Sequence, residues 1–188
     1  GQGLSYVWRN QQSMFSYHAG LESTHPFESP WWQWPVIARP IWFFVNNYLA
    51  PGLRSTIVSM GNPAVWWGGL VALILAARHW LKSDSLEDED GGWSRRVIVL
   101  ALVSQYVPWM LVSRCTFIYH YFACVPFLVL TLAWMMNYWT KGHPKRMKWV
   151  YAYLAVAALF IWFYPALSGL TVPEGWIASL RWLPSWTF

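Results

Sequence analysis

The ten residues SRCTFIYHYF, at positions 113–122, place a cation and several ring donors where an apolar stretch begins. The guanidinium of Arg114 suits a phosphate anion, because its planar fork can donate two parallel hydrogen bonds. Tyr119, His120 and Tyr121 follow, and their side chains can donate to further phosphate oxygens or to sugar hydroxyls. On one helix Arg114 and His120 would be about 9 Å apart along the axis and roughly 120° apart around it, so neighbouring segments must close around them. The pattern predicts a site for a lipid phosphate. The alternative is that Arg114 only extends its charged end to the membrane interface and binds no ligand.

A second ring-rich stretch, HPFESPWWQWPVIARPIWFF, occupies residues 25–44 and has prolines at 26, 30, 35 and 40. Prolines at that spacing exclude a regular helix. A non-helical segment of this length at a membrane must line protein or a wet cavity rather than lipid, so it predicts the wall of a cleft. Its tryptophans can stack on a sugar or an isoprenoid tail, and interfacial anchoring is the alternative for each ring. These tryptophans are Trp31, Trp32, Trp34 and Trp42.

One spacing resembles a metal-ligand set. His18, Glu22 and His25 recur at i, i+4 and i+7, which is one face of a helix. Pro26 argues against it, because the residue before a proline is pushed away from helical geometry. We therefore favour ordinary hydrogen-bonding roles and predict no metal site.

The composition favours a membrane protein over a soluble one. The chain has 188 residues, of which 56% are hydrophobic and 11% charged, with 17 Trp, 10 Tyr and 10 Phe. Charged residues make up about 25% of an average soluble domain, and Trp and Tyr gather at membrane interfaces. The net charge of +5 comes without a basic stripe that alternates with stacking rings, so we predict no nucleic-acid partner.

Four apolar segments approach the ~20 residues that a membrane-spanning helix needs. We predict an all-α integral membrane fold whose four transmembrane helices occupy the region 64–167, and Pro108 and Pro126 predict kinks in the second and third. The four segments are residues 64–81, 97–112, 117–139 and 149–167.

The cations orient these helices. Eight of the 13 Lys and Arg lie in or beside the first and third links between spans, which the positive-inside rule places in the cytoplasm. Residues 1–63, the turn around Arg114 and the tail 168–188 then form extracytoplasmic regions. The eight cations are Arg78, Lys82, Arg95, Arg96, Lys141, Lys145, Arg146 and Lys148.

Both extracytoplasmic terminal regions carry an apolar stripe at helical spacing, which predicts helices that lie on the membrane surface. The first stripe consists of Leu4, Val7, Trp8, Gln11, Phe15 and His18, and the second of Trp176, Ile177, Leu180 and Leu183.

Several motifs, in chain order, resemble the protein O-mannosyltransferases, in particular the bacterial members. RCTFIYHYFACVPFL, at residues 114–128, is similar to a signature of that family, and residues 17–44 resemble its outer loop. GNPAVWW, at 61–67, resembles the entry to the next span, and LRWLPSWTF, at 180–188, resembles the C-terminal end. The chain therefore resembles the C-terminal four-transmembrane region of a GT-C-type membrane glycosyltransferase.

The resemblance implies a function. Such enzymes transfer mannose from a polyprenyl-phosphate-mannose donor to Ser or Thr hydroxyls of proteins on the extracytoplasmic face, here of a bacterial plasma membrane. The implied partners are the donor lipid, the acceptor protein, membrane lipids and the N-terminal half of the same enzyme, and no cofactor is expected. Arg114, Tyr119, His120 and Tyr121 would hold the donor phosphate or the region around it. The outer cleft would be shaped by the loop 25–44, to which we assign His25, Trp31, Trp32, Trp34 and Arg39.

Two features depart from the family pattern. Ala123 stands where a proline is expected after HYF, and the motif with the catalytic aspartate, which belongs to the N-terminal half, has no match here. We assign none of Glu22, Glu28 and Glu174 as a general base, so we expect the chain to be a piece of a longer enzyme and inactive alone. Two alternatives stay open: a non-catalytic membrane subunit that docks a partner, and a related transferase that moves a different sugar.

Overall fold

The computed structural model describes residues 3–20, 24–82, 92–139 and 145–188, and most of this part is helical. Its α-helices are α1 (Leu4–Ala19), α2 (Pro63–Lys82), α3 (Gly92–Tyr106), α4 (Val125–Trp139), α5 (Lys145–Ser168) and α6 (Glu174–Ser179). It also has 3-10 helices at Trp31–Gln33, Val107–Leu111 and Ile118–Cys124. The two links predicted to be cytoplasmic lie largely outside the described residues.

Each of the four predicted spans coincides with one helix or with two consecutive helices. The first and fourth are α2 and α5, whereas the second and third each combine an α-helix with a 3-10 helix. In the described part of the chain, two helical stretches of 22 residues are long and apolar enough to cross a membrane, Ile118–Trp139 and Met147–Ser168. A third apolar stretch, Arg96–Leu111, is shorter.

The two prolines singled out in the sequence both lie where the helix type changes. Pro108 follows the end of α3 and is near the start of the 3-10 helix, and Pro126 is the second residue of α4. A proline removes one backbone donor and fits best in a first helical turn, so it favours a change of helix at these points.

The helices α2 and α4 approach closely because small residues line their contact. A Cβ at Gly69 would lie 2.9 Å from the Cβ of Leu128, and one at Gly68 would lie 3.3 Å from Leu132. Leu128 is fully buried. Glycines let helix backbones pack tightly where lipid supplies no hydrophobic driving force, so this pair forms the centre of the bundle.

Short strands join the helices, which the sequence analysis did not predict. The strand β1 (Ile41–Val45) pairs with β3 (Thr56–Ser59) in an antiparallel hairpin, and β2 (Leu53–Arg54) pairs with β4 (Val172–Pro173). β1 and β3 are runs of aromatic and β-branched residues, which favour a pleated, half-buried surface. The second pair fastens the C-terminal tail to the segment between β1 and α2.

The C-terminal tail differs from the prediction of a second surface helix. The helix α6 ends at Ser179, and the chain continues to Phe188 without regular helix. Ile177 and Leu180 are fully buried, and Trp186 and Phe188 are nearly so. Half of the apolar stripe, Ile177 and Leu180, is therefore buried in the protein core, although Trp176 is 39% exposed, whereas α1 has no buried residues.

The largest core lies at one end of the helical bundle. It joins rings from the loop 24–60, the start of α2, the segment 106–124 and the tail, with Trp34, Trp66, Tyr121 and Trp186 among them. The three regions that the sequence predicts to share one side of the membrane therefore pack on one another.

Candidate functional site

Arg114 lies in a cavity of about 480 Å³ at the ring-rich end of the bundle. One wall comes from the chain before and within the 3-10 helix Trp31–Gln33, and the other from the turn between the 3-10 helices Val107–Leu111 and Ile118–Cys124. We call this cavity the Arg114 cleft. Its lining residues are Thr24, Glu28, Ser29, Pro30, Trp31, Met110, Val112, Ser113, Arg114, Cys115 and Thr116.

Two hydrogen bonds lock the walls of the cleft together. The backbone N–H of Ser29 donates to the carbonyl of Thr116 at 2.8 Å, and the Thr116 hydroxyl donates to the carbonyl of Ser29 at 2.9 Å. Both residues are buried. Because these bonds join segments 87 residues apart, they set where Arg114 stands relative to Glu28.

Side-chain donors bind several carbonyls of the proline-rich loop, which has little regular structure beyond the 3-10 helix Trp31–Gln33 and the strand β1. Buried carbonyls must find donors, and an irregular loop at a membrane needs them most. Three donors are indole N–H groups: Trp66 donates to the carbonyl of Trp34 at 2.8 Å, Trp67 to that of Val36 at 3.2 Å, and Trp186 to that of Ile37 at 2.6 Å. Two donors are hydroxyls: Tyr106 donates to the carbonyl of Trp31 at 2.8 Å, and Ser185 donates to the carbonyl of Ala38. We call these five donors the donor cage.

Ile37 shows how firmly the donor cage holds the loop. It is fully buried and has φ of 54°, a left-handed conformation that a β-branched residue avoids. Such a conformation costs about 1–3 kcal/mol and persists only where the surroundings dictate it. The bond from Trp186 to the Ile37 carbonyl is one part of those surroundings.

The motif GNPAVWW connects the donor cage to the helices. A Cβ at Gly61 would lie 1.9 Å from the ring of Trp66, so only glycine leaves room for that ring. Asn62 accepts from the N–H of Ala64 at 3.0 Å, which caps α2, and donates to the carbonyl of Val156 in α5 at 2.9 Å. The motif thus fixes the start of α2 and the position of its two tryptophans.

Among the described residues that line the cleft, one is a cation, Arg114, and one is a carboxylate, Glu28. Arg114 is half-buried, and its Nη1 donates to Nδ1 of His18 in α1 at 3.3 Å. Glu28 lines the same cavity beside Cys115. Burial first, and then a hydrogen bond and the charge of the Glu28 carboxylate, raise the pKa of the Cys115 thiol. The cleft therefore offers a donor fork for an anion and an acceptor for hydroxyl groups.

The structure places His120 and Tyr121 behind the cleft rather than in its wall. The His120 ring stacks on Trp34 at 5.8 Å and lies 4.3 Å from the ring of Trp109, and its Nδ1 meets the backbone of Phe117. Tyr121 is buried against Trp66 and Tyr106. Tyr119 lies against His120 and is 42% exposed.

The residues assigned to the outer cleft are only partly brought together. Trp31 lines the Arg114 cleft. Trp34 is buried and donates from its indole N–H to the carbonyl and hydroxyl of Ser29, both at 3.0 Å, so it supports the cleft from behind. The other three residues do not line this cavity. Trp32 is 57% exposed, and Arg39, also exposed, donates to the Glu28 carbonyl at 3.3 Å. The ring of His25 packs on that of Phe117 at 5.2 Å between centroids.

The described residues contain no group of three His, Cys, Asp or Glu side chains that could hold a metal ion. Glu22, the middle member of the set weighed in the sequence, lies outside the described residues. His18 contacts Arg114, and His25 accepts from the N–H of Phe27 at 3.2 Å.

Sequence reasoning missed several polar residues of the cleft: Thr24, Glu28, Ser29, Ser113, Cys115 and Thr116. Two of them, Ser29 and Thr116, are common polar residues, and they meet only because the loop folds back on the turn. Their signal was their position inside the two stretches already quoted, 25–44 and 113–122.

Comparison with known proteins places the chain in a family. Residues 4–186 match the family described as "C-terminal four TMM region of protein-O-mannosyltransferase". The chain belongs to this family. Its membrane character follows, and so does the four-helix organisation that the family description gives.

Relatives in this family are longer than the chain. A polyprenol-phosphate-mannose–protein mannosyltransferase of Mycolicibacterium smegmatis is 26% identical over 97% of the chain and 38% of its own length. The protein of that name from Mycobacterium tuberculosis is 27% identical over 96% of the chain and 37% of its own length. The chain thus spans little more than a third of these mannosyltransferases.

A solved structure shares the fold. The match is to the structure described as S. cerevisiae protein O-mannosyltransferase Pmt1-Pmt2 complex bound to the sugar donor, with a TM-score of 0.76. Sequence identity is 21%, and the match covers 100% of this chain and 27% of the other. The two proteins therefore share the fold of this region.

Proposed function

We propose that the chain is the C-terminal membrane portion of an enzyme that transfers mannose from a polyprenyl-phosphate-mannose donor to Ser or Thr hydroxyls of proteins. One observation carries the proposal: in a chain of this family, Arg114 stands half-buried in a cavity of about 480 Å³ at the ring-rich end of the bundle. A fixed cation in a partly dehydrated cavity suits the phosphate of a lipid-linked sugar.

In this proposal Arg114 acts on the phosphate. Transfer of the mannose breaks its bond to the phosphate oxygen, so negative charge builds up on the leaving group. A donor fork held in place by the protein stabilises that charge without reorganising, which lowers the barrier. Ser113 lines the same cavity, and its hydroxyl can donate a further hydrogen bond to the phosphate.

The carboxylate of Glu28 gives the cleft a second capacity. It lines the same cavity as Arg114 and accepts hydrogen bonds from hydroxyl groups, which sugars and Ser or Thr acceptors both carry. We assign it to hydroxyl binding and not to proton abstraction, since the motif with the family's catalytic aspartate is expected in the N-terminal half.

The remaining predicted residues take supporting parts. His120 stacks on Trp34, and Trp34 donates to Ser29 in the cleft wall, so the imidazole acts on the phosphate region through packing. Tyr121 supports the same layer from the core. Tyr119, which is partly exposed, is left for contact with the donor lipid.

We further propose that the cleft faces the outside of a bacterial plasma membrane. The eight cations in and beside the two opposite links support this orientation through the positive-inside rule. The acceptor protein, the donor lipid and the N-terminal half of the enzyme would then meet at the ring-rich end.

The test measures mannose transfer by the complete enzyme from polyprenyl-phosphate-mannose to a Ser/Thr peptide. Arg114→Ala should raise the KM for the donor about 10- to 100-fold, because a charge-assisted hydrogen bond contributes about 1.5–3 kcal/mol and each 1.4 kcal/mol is tenfold. It should also lower kcat, because the charge that develops on the leaving phosphate loses its donor. Arg114→Lys should recover part of the loss, since the charge remains but the fork does not.

Arg9→Ala is the matched control. Arg9 is an exposed cation of α1 that does not line the cleft, and within the described part of the chain it donates to a backbone carbonyl of its own helix. A donor KM in Arg114→Ala equal to that in Arg9→Ala would remove Arg114 from the site. A complete enzyme that transfers no mannose, or transfers another sugar from its lipid phosphate instead, would overturn the proposed substrate.

A further inference from the structure

A second cavity, of about 310 Å³, lies between the last turns of α2 and α4. We call it the α2–α4 groove. It shares no residue with the Arg114 cleft. Its lining residues are Leu75, Arg78, His79, Trp134, Met135, Tyr138 and Trp139.

The groove lies one bilayer thickness away from the cleft. Arg114 precedes the apolar stretch Ile118–Trp139, and the groove surrounds the end of that stretch. Its 15 α-helical and 7 3-10 residues span about 36 Å at about 1.5 and 2.0 Å each, enough to cross the ~30 Å hydrocarbon core. The groove therefore stands at the headgroup level of the leaflet opposite the cleft.

The lining of the groove combines a stiff ring wall with an exposed cation. The His79 and Tyr138 rings lie 5.1 Å apart, and Trp134 stacks on Tyr138 at 5.5 Å with 22° between the planes. Arg78 is exposed at the edge. Trp and Tyr are the side chains that settle at the headgroup level, and the floor of Leu75 and Met135 is apolar.

The charge of the neighbouring chain favours an anion. Residues 141–148, which follow α4 directly, contain four Lys or Arg and no Asp or Glu. Residues 78–96 contain four Lys or Arg and five Asp or Glu. In the sequence, cations therefore outnumber carboxylates by eight to five over these two segments.

We propose that the α2–α4 groove binds the headgroup of an anionic glycerophospholipid from the leaflet opposite the cleft. Arg78 pairs with the lipid phosphate, the rings of Trp134 and Tyr138 lie along the glycerol region, and the first methylenes of an acyl chain lie on Leu75 and Met135. An apolar floor and ring wall favour a lipid over free phosphate, because phosphate would leave that surface uncovered. This site is separate from the donor site proposed above and does not depend on it.

The test uses the complete protein in nanodiscs made of phosphatidylcholine with a minor fraction of phosphatidylglycerol. Native mass spectrometry after transfer to neutral detergent counts the lipids that stay bound. The unmodified protein should retain phosphatidylglycerol in preference to phosphatidylcholine, and Arg78→Gln should reduce that preference about fivefold, the factor for about 1 kcal/mol per cation near a membrane surface.

Two further variants keep the test decisive. Lys148→Gln removes an exposed cation from the same end of the bundle that does not line the groove, and it should reduce the preference much less than Arg78→Gln does. Arg78→Lys keeps the charge and should retain most of the preference, which provides an answer if Arg78→Gln does not fold.

Three outcomes would overturn the proposal. The first is equal phosphatidylglycerol retention in Arg78→Gln and Lys148→Gln. The second is displacement of the bound lipid by millimolar inorganic phosphate, which would make the groove a simple anion site. The third is no retained lipid in the unmodified protein, as expected if another part of the complete chain covers the groove.

Discussion

Replacing Trp186 by phenylalanine tests whether the donor cage holds the loop that forms the cleft wall. The Trp186 ring is 1% exposed and its indole N–H donates to the carbonyl of Ile37, a fully buried residue, at 2.6 Å. Phenylalanine keeps most of the apolar ring but removes the donor. The Ile37 carbonyl would then lose the hydrogen bond that the structure shows for it.

The size of the effect follows from that single carbonyl. A buried acceptor left without a partner costs about 1–3 kcal/mol. The smaller ring leaves a void that adds about 1 kcal/mol. The two terms add to an expected loss of about 2–4 kcal/mol in the free energy of unfolding.

Chemical unfolding of the purified protein in detergent measures this loss, and Trp182→Phe is the matched control. Trp182 is four residues away and packs on the same rings, but it is 42% exposed and its indole N–H has no partner among the described residues. The control should lose less than about 1 kcal/mol. If the two variants lose the same free energy, the indole N–H of Trp186 does not hold the loop, and the donor-cage argument fails.

Gly61→Ala should destabilise the protein by about 1–3 kcal/mol in the same assay, because the Trp66 ring 1.9 Å from the new Cβ must move about 1.5–2 Å. Gly175→Ala is the control and should not destabilise the protein, because no atom lies within 4 Å of the new Cβ. Equal stabilities of the two variants would contradict this packing. Glu28→Gln should lower the pKa of the Cys115 thiol and so speed its alkylation at a fixed pH below that pKa, since the thiolate is the reactive form. An unchanged alkylation rate would show that the carboxylate does not act on this thiol.

Periodicity and composition were sufficient for the helical part of the fold. Continuous apolar runs of about 20 residues have few alternatives to spanning helices, so α2, α4 and α5 appear close to where the sequence puts them. The stripe that begins at Leu4 likewise coincides with α1. The packing of the C-terminal tail could not be predicted, because an apolar stripe from Trp176 to Leu183 does not distinguish contact with lipid from contact with protein.

The sequence by itself determined that the chain is a ring-rich helical membrane protein and that Arg114 stands where an apolar stretch begins. Only the tertiary structure decided what surrounds that guanidinium, because the contacts are long-range: Ser29 with Thr116, and the loop carbonyls with indole donors up to 149 residues away. Hydrogen bonds between distant segments depend on how loops fold back over the bundle. Local residue spacing does not determine how distant loops pack, so it can identify Arg114 as a candidate but not the cavity in which Arg114 lies.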